Sequence, residues 1–174
     1  MKKVLIAFIT ILALLALVVW GDKVAESNPE PTTQATVQSK YEVGPPDPQE
    51  MLELVNAERK KVGVAPLTID VNVQKSAQLK ADDFSERDYY SHIVKGTEYT
   101  LTDEMADYVE RSCISSGENI NGDIYTSQEA LDTWLGSPPH KEAILNAEYT
   151  LTGFGVSNDK DDDYYAVQHF CVTK

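Results

Sequence analysis

The chain has 174 residues and a formal net charge of −13. Its length suits one folded domain with additional segments. A surface this acidic repels phosphate backbones and other polyanions, so nucleic acid is excluded as an expected partner. Only 3 histidines are present, so their positions are informative about function.

The first 21 residues are predicted to be a targeting segment rather than part of the fold. Two lysines precede an apolar run from Val4 to Trp20 that only Thr10 interrupts. This run is long for the core of a signal peptide and short for a spanning helix, so a cleaved signal peptide and an uncleaved signal anchor are both open. In the second case residues 4–20 would lie in the membrane, with the domain outside the cell.

Residues 22–46 are predicted to form a flexible linker. Prolines lie there among threonine, glutamine and serine residues, and large apolar side chains are few. A segment of this composition cannot bury a core. We therefore expect residues 47–174 to form the folded domain, which the linker would hold clear of a membrane or wall.

Capping signals divide the first half of this domain into helices. Asp47 and Glu50 form a capping box around a proline, and Gly63 ends the predicted helix. A second helix is predicted from Asp70, with an apolar stripe formed by Val73, Ala77, Ala81 and Phe84. A short third helix is predicted over Leu101 to Val109.

The second half combines helices with strands. Thr126 and Glu129 form another capping box, which begins a helix that Gly136 ends. The Ser137-Pro138 pair then begins a new helix that runs through Leu145. Residues 151–157 and 164–172 are predicted strands, joined by an acidic hairpin turn. Helices early and late, with few strands, indicate an α/β layered domain.

Three short motifs contain two of the three histidines, with a carboxylate between them. They are Tyr90-Ser91-His92, Gly117-Glu118-Asn119-Ile120 and Trp134-Leu135-Gly136-Ser137-Pro138-Pro139-His140. Imidazole titrates near pH 6.5 and binds metals in its neutral form. Each motif lies beside a predicted turn or helix start, so two imidazoles and a carboxylate could converge on one solvent-facing site.

These motifs, in this order and spacing, resemble the CAP superfamily of cysteine-rich secretory proteins, antigen 5 and plant pathogenesis-related proteins. Leu54-Val55-Asn56-Ala57-Glu58-Arg59 and Gly153-Phe154-Gly155-Val156 extend the resemblance over nearly all of the chain after Pro46. The prokaryotic SCP-like extracellular proteins are the nearest branch. The resemblance implies an α-β-α sandwich with a small, mainly antiparallel sheet between helices. It also implies a domain that is secreted or tethered outside the cell membrane.

The resemblance further implies a cleft formed by His92, Glu118, Ser137 and His140. Ser137 stands where many relatives have a second glutamate. His92, Glu118 and His140 could bind Zn²⁺ or another divalent cation with an open position for water. The alternative is an internal network in which both histidines hydrogen-bond Glu118 and lock the helices to the sheet. Ser137 is expected to cap the following helix.

Three functions remain open from these residues. A recognition module for an envelope, lipid or wall ligand fits a tethered domain with an incomplete set of carboxylates. An extracytoplasmic metal-dependent hydrolase is the first alternative, although the sequence shows no obvious nucleophile and no H-E-x-x-H helix. A structural envelope protein is the second alternative. His169, the third histidine, is expected to point away from the site or to pack against Tyr164 or Tyr165.

Cys113 and Cys171 are the only cysteines. One precedes the strand that carries Glu118, and the other ends the last strand. In the CAP fold these regions lie in one small sheet, so the resemblance implies that the two thiols can form a disulfide, which export permits. Two buried free thiols are the alternative.

Overall fold

The computed structural model describes residues 44–174. The predicted targeting segment and residues 22–43 of the predicted linker lie outside this range, so the expectations for them remain predictions. The elements are α1 (Pro48–Lys61), β1 (Thr68–Ile69), α2 (Val71–Arg87), α3 (Asp103–Ser112), β2 (Cys113–Ile124), α4 (Ser127–Gly136), α5 (Pro138–Leu145), β3 (Leu151–Asn158) and β4 (Tyr164–Thr173). None of these helices combines the length and the apolar character needed to cross a membrane.

The four strands form one sheet in the order β1-β3-β4-β2. Only the short β1–β3 pair is parallel, and the other two pairs are antiparallel. Helices α2 and α3 pack on one face of this sheet, while α1, α4 and α5 pack on the other. The predicted α-β-α sandwich with a small, mainly antiparallel sheet is therefore confirmed.

Alternation along β4 divides the core between the two faces. Ala166 and Phe170 pack among the buried side chains of α1, α4 and α5, including the fully buried Trp134. Val167 packs instead with the apolar stripe of α2. Because successive side chains of a strand point to opposite faces, one strand supplies both layers.

The capping signals place most helix starts correctly. Asp47 Oδ1 accepts from the Glu50 amide at 2.8 Å, and Thr126 Oγ1 accepts from the Glu129 amide at 3.1 Å. The third helix lies slightly later than predicted, because Thr102 caps it and it continues to Ser112. The predicted cap at Ser137 is wrong, since its side chain makes no capping hydrogen bond even though α5 begins after it.

Arg59 joins α1 to α5 and the segment that follows it. Its side chain is fully buried and its guanidinium donates only to backbone carbonyls. The acceptors are Ala65 at 2.7 Å, Ile144 at 2.7 Å, Asn146 at 2.9 Å and Tyr149 at 3.0 Å. One side chain therefore satisfies four carbonyls that lie at loop and helix ends, where backbone partners are scarce.

Helix α2 packs directly onto the backbone of β3. A Cβ atom at Gly155 would lie 2.1 Å from the carbonyl oxygen of Ala77, so only glycine permits this approach. The close contact lets two glutamines of α2 bond the strand. Gln74 exchanges two hydrogen bonds with the backbone of Phe154, and Gln78 does the same with Val156.

The predicted disulfide between Cys113 and Cys171 is confirmed. The two Cα atoms lie 5.3 Å apart, within the usual range for a disulfide. The bond joins the start of β2 to the end of β4 and is buried beside α2 and α3. The disulfide thus covalently links β2 to β4 near one end of this strand pair, which also carries the candidate site.

Candidate functional site

The three side chains predicted as metal ligands, which are three of the four residues of the predicted cleft, lie close together at the free edge of β2. Glu118 projects from the middle of this strand, His92 lies in the loop between α2 and α3, and His140 lies in the first turn of α5. The ring centres of His92 and His140 are 6.0 Å apart, with an angle of 60° between the ring planes. Since α2 and α5 belong to opposite layers, the two histidines reach the same edge from the two faces of the sheet.

Glu118 is held by two histidines. His92 Nδ1 donates to Oε1 at 2.7 Å, and His169 Nε2 donates to Oε2 at 3.0 Å. The predicted network therefore forms only in part, because His140 makes no hydrogen bond to Glu118 and His169 occupies that role. With both oxygens engaged, the carboxylate is oriented before any ligand binds.

His169 is the site residue that sequence reasoning missed. The expectation that it points away or packs on a neighbouring tyrosine is wrong, because its side chain is only 2% exposed and bonds Glu118. Its Nδ1 lies 3.1 Å from the hydroxyl of Ser76, which in turn donates to the Met105 carbonyl at 3.0 Å. The contact arises from the pairing of β2 with β4, which sets Glu118 opposite His169 and which the sequence pattern does not reveal.

Lys80 fixes the loop that carries His92. This lysine is fully buried in α2, and its ammonium donates to the carbonyls of His92 at 2.9 Å and Thr100 at 3.0 Å. Burial lowers the pKa of Lys80, while the charges of Glu118 and Asp83 oppose that shift. The loop is thus tied to the helix by its backbone, and the His92 ring is free to take its orientation from Glu118.

The charge state of Glu118 follows from these contacts. Burial raises the pKa of its carboxyl, but hydrogen bonds from His169 and His92 lower it, as do the charges of His169 and Lys80. The lowering effects prevail, and the pKa lies below its usual value. Glu118 is therefore a carboxylate at neutral pH and acts only as an acceptor.

His140 is in the form that binds metals. Burial lowers its pKa, and the neighbouring charge of His92 lowers it further, so the ring is neutral at pH 7. Its Nδ1 atom is buried and makes no hydrogen bond within residues 44–174. Its carbonyl accepts from Asn119 Nδ2 at 3.1 Å, which joins the first turn of α5 to β2.

A cavity of about 240 Å³ opens beside Glu118 and His169. Leu101 and Val109 form an apolar part of its wall, and His92 lies at its edge. It is smaller than the roughly 300–1,000 Å³ of most small-molecule sites, so it suits a small group or one part of a larger ligand. Ser137 and His140 lie outside its lining.

The arrangement falls short of a preformed metal centre. Within residues 44–174 no group of three or more His, Cys, Asp or Glu side chains has the spacing needed to hold a metal ion. His92 and His140 are close enough to share an ion, but the Glu118 oxygens are committed to hydrogen bonds. Two imidazoles from different segments, supported by one carboxylate, are what the structure brings together.

Known proteins with similar sequences and folds fit this architecture. Residues 52–170 match the CAP profile, which describes the cysteine-rich secretory protein family. Protein YkwD of Bacillus subtilis is 33% identical over 131 residues, which cover 75% of this chain and 48% of that protein. The chain thus spans about half the length of this relative.

Two solved structures share the fold. An outer surface protein from Borrelia burgdorferi superposes with a TM-score of 0.64 at 24% identity, over 72% of this chain and 92% of that one. An extracellular protein containing an SCP domain from Bacillus anthracis gives 0.58 at 26% identity, over 73% of this chain and 40% of that one. The profile match spans most of the sandwich and all four residues predicted for the cleft, and the chain therefore belongs to the CAP family.

Proposed function

We propose that this CAP domain works outside the cytoplasm as a recognition module whose cleft binds a divalent metal ion, with Zn²⁺ as the first candidate. The location is supported by the apolar N-terminal run and by the relatives described as outer surface and extracellular proteins. The buried disulfide agrees with an oxidising compartment. The ligand class is an envelope, lipid or wall component.

The single observation that carries the metal proposal is the distance between the His92 and His140 rings at the edge of β2. His92 donates from Nδ1 to Glu118, so in the neutral form of this ring Nε2 carries the free lone pair. Imidazole nitrogens bind Zn²⁺ at 2.0–2.1 Å, which places the centres of two ligating rings about 5–6 Å apart. The observed separation of 6.0 Å lies at the upper end of this range. His92 and His140 can therefore reach one ion with a small movement.

Glu118 fits the role of a supporting carboxylate better than that of a ligand. Metal-binding histidines commonly donate their second ring N–H to a carboxylate, which fixes the ring and raises its basicity. The bond from His92 to Glu118 has this form, and His169 donates to the other oxygen of the same carboxylate. In this proposal His92 and His140 bind the metal, and Glu118 orients His92.

Two protein ligands leave about two positions of a tetrahedral ion open. Water fills them in the free protein, and donor atoms of a partner replace that water on binding. Such a site suits metal-dependent recognition. Hydrolysis would require a free general base beside the metal, and among the described residues the one carboxylate that lines the adjacent cavity is already engaged by two histidines.

Calorimetric titration of the chelator-treated full chain with Zn²⁺ at pH 7.5 tests the proposal. Wild type should bind about one ion, and His92→Ala and His140→Ala should each abolish measurable binding. Lys141→Ala is the matched control, because Lys141 is exposed and adjacent to His140. Equal Zn²⁺ affinity in wild type and His140→Ala would refute the metal site.

The Glu118→Gln variant separates support from ligation. If Glu118 only orients His92, Glu118→Gln should weaken Zn²⁺ binding by about 10–100-fold without abolishing it. Pull-downs with the Zn²⁺-loaded full chain test recognition, with chelator-treated protein as the reference. If the loaded protein recovers no envelope, lipid or wall component, the recognition proposal is weakened. Metal-dependent cleavage of peptide or wall polymer would favour the hydrolase.

A further inference from the structure

Three buried polar side-chain atoms within residues 44–174 have no hydrogen-bond partner: Asn119 Oδ1, His140 Nδ1 and Gln168 Oε1. Asn119 is only 1% exposed and Gln168 is fully buried. Buried polar groups are nearly always satisfied, because each unsatisfied one costs about 1–3 kcal/mol. These three atoms therefore require an explanation.

Asn119 is a neighbour of each of the other two residues. Asn119 Nδ2 donates to the His140 carbonyl at 3.1 Å, which fixes Oδ1 as the unpaired end of that amide. Asn119 and Gln168 lie opposite each other on β2 and β4, so their side chains share the face covered by α5, with Cβ atoms about 5 Å apart. Gln168 Nε2 donates to Thr152 Oγ1 at 3.2 Å, so Oε1 is the unpaired end there as well.

The chemistry of the three atoms selects one solution. Two are amide oxygens, which only accept, and the third is an imidazole nitrogen, which can donate when protonated. A water molecule supplies two donors and accepts from a third group, and buried waters typically make about three hydrogen bonds.

We propose that one buried water joins His140 Nδ1–H to Asn119 Oδ1 and Gln168 Oε1, and that Asn119 thereby positions His140 as the Nδ1–H tautomer. His140 Nε2 then carries the lone pair. Glu118 imposes the same tautomer on His92 by a direct bond. Because Glu118 and Asn119 are consecutive on a strand, they face opposite layers, and each orients the histidine of its own layer.

The functional role of this tautomer in binding a metal rests on the proposed metal site. The tautomer itself is measured without metal. Two-bond ¹⁵N–¹H NMR correlations of the histidine rings, recorded on chelator-treated full chain at pH 8, distinguish Nδ1–H from Nε2–H. Both His92 and His140 should show Nδ1–H. An Nε2–H signal for His140 would overturn the inference.

The variant Asn119→Leu tests the role of the amide. His140 should lose its preference for Nδ1–H, while His92 should keep it as an internal reference. Asn121→Leu is the matched control, since Asn121 is a buried amide on the same strand that bonds Ala130 of α4 instead. Asn119→Asp retains an acceptor and should retain the tautomer.

The wild-type spectrum decides the inference even if Asn119→Leu does not fold. A cross-relaxation signal between the His140 Nδ1 proton and a long-lived water is expected, and a direct bond without water would disprove the bridging part. Nδ1–H in a protein that fails to bind Zn²⁺ would leave this inference standing and reject the metal proposal.

Discussion

Glu118 and His169 lie directly opposite each other on β2 and β4, and His169 Nε2 donates to Glu118 Oε2 at 3.0 Å. The cleft carboxylate is thus anchored to the interior of the sheet, although its other oxygen faces an exposed histidine. This anchoring limits how far Glu118 can move towards a ligand. It also predicts that the effects of mutating Glu118 and His169 on stability are coupled.

We expect His169→Leu to lower the free energy of unfolding by about 3 kcal/mol, because it leaves a largely buried carboxylate without its partner. The double variant with Glu118→Leu should cost less than the two single variants together. Urea denaturation of the four proteins of this cycle gives the coupling energy. Additive losses would show that the two side chains do not act as a pair.

The lowered pKa of Glu118 predicts a specific pH dependence. The unfolded chain takes up this proton near pH 4.3, whereas the folded chain resists it until a lower pH. The stabilisation by Glu118 is therefore fully present above about pH 4.3 and is lost as pH falls through the folded pKa. Melting temperatures from pH 3 to 7 should show this loss in wild type, and the loss should be smaller in Glu118→Gln.

Removing the disulfide with Cys113→Ser and Cys171→Ser together should destabilise the domain. The bond spans a sequence separation of 58. Closing a loop of that size contributes about 4 kcal/mol through lost entropy of the unfolded chain. The measurement is the urea midpoint of the double variant against oxidised wild type. A midpoint that reductant does not shift in wild type would contradict the expectation.

Arg59→Lys should be severe despite the retained charge. A lysine ammonium cannot reach four carbonyls in the fixed geometry of a guanidinium, so buried acceptors are left unpaired. We expect a loss of about 3 kcal/mol or more in the free energy of unfolding. Lys61→Ala is the control, because its ion pair with Glu58 is at the surface and should change stability by less than about 1 kcal/mol.

Local signals predicted the helices and the two strands of the final hairpin well, because capping and hairpin turns are local phenomena. The Asp47 and Thr126 caps, the apolar stripe of α2 and the final hairpin all depend on residues a few positions apart. His92 and Glu118 were predicted as site residues from the family resemblance, and the structure brings them into contact.

The pairing between β2 and β4 could not be predicted from local sequence signals, because these strands are far apart in the chain. The β2–β4 register shifts between Cys113 and Ser115, so the cysteines alone do not give the partner of Glu118. His169 was assigned to the wrong surroundings for this reason. The missing cap at Ser137 has a related origin, because the sequence motif fixes the backbone start of α5 but not the direction of one hydroxyl.

The two glutamines of α2 have a consequence for how this domain survives at high local concentration. β1 covers β3 only at Leu151 and Thr152, which would leave the next backbone groups ready to pair with a strand of another molecule. Gln74 and Gln78 occupy those groups with their own amides. Without these side chains, copies crowded on one surface would be prone to self-association by strand addition and to the growth of intermolecular sheets. The helix therefore protects the domain from aggregation as well as supporting its core.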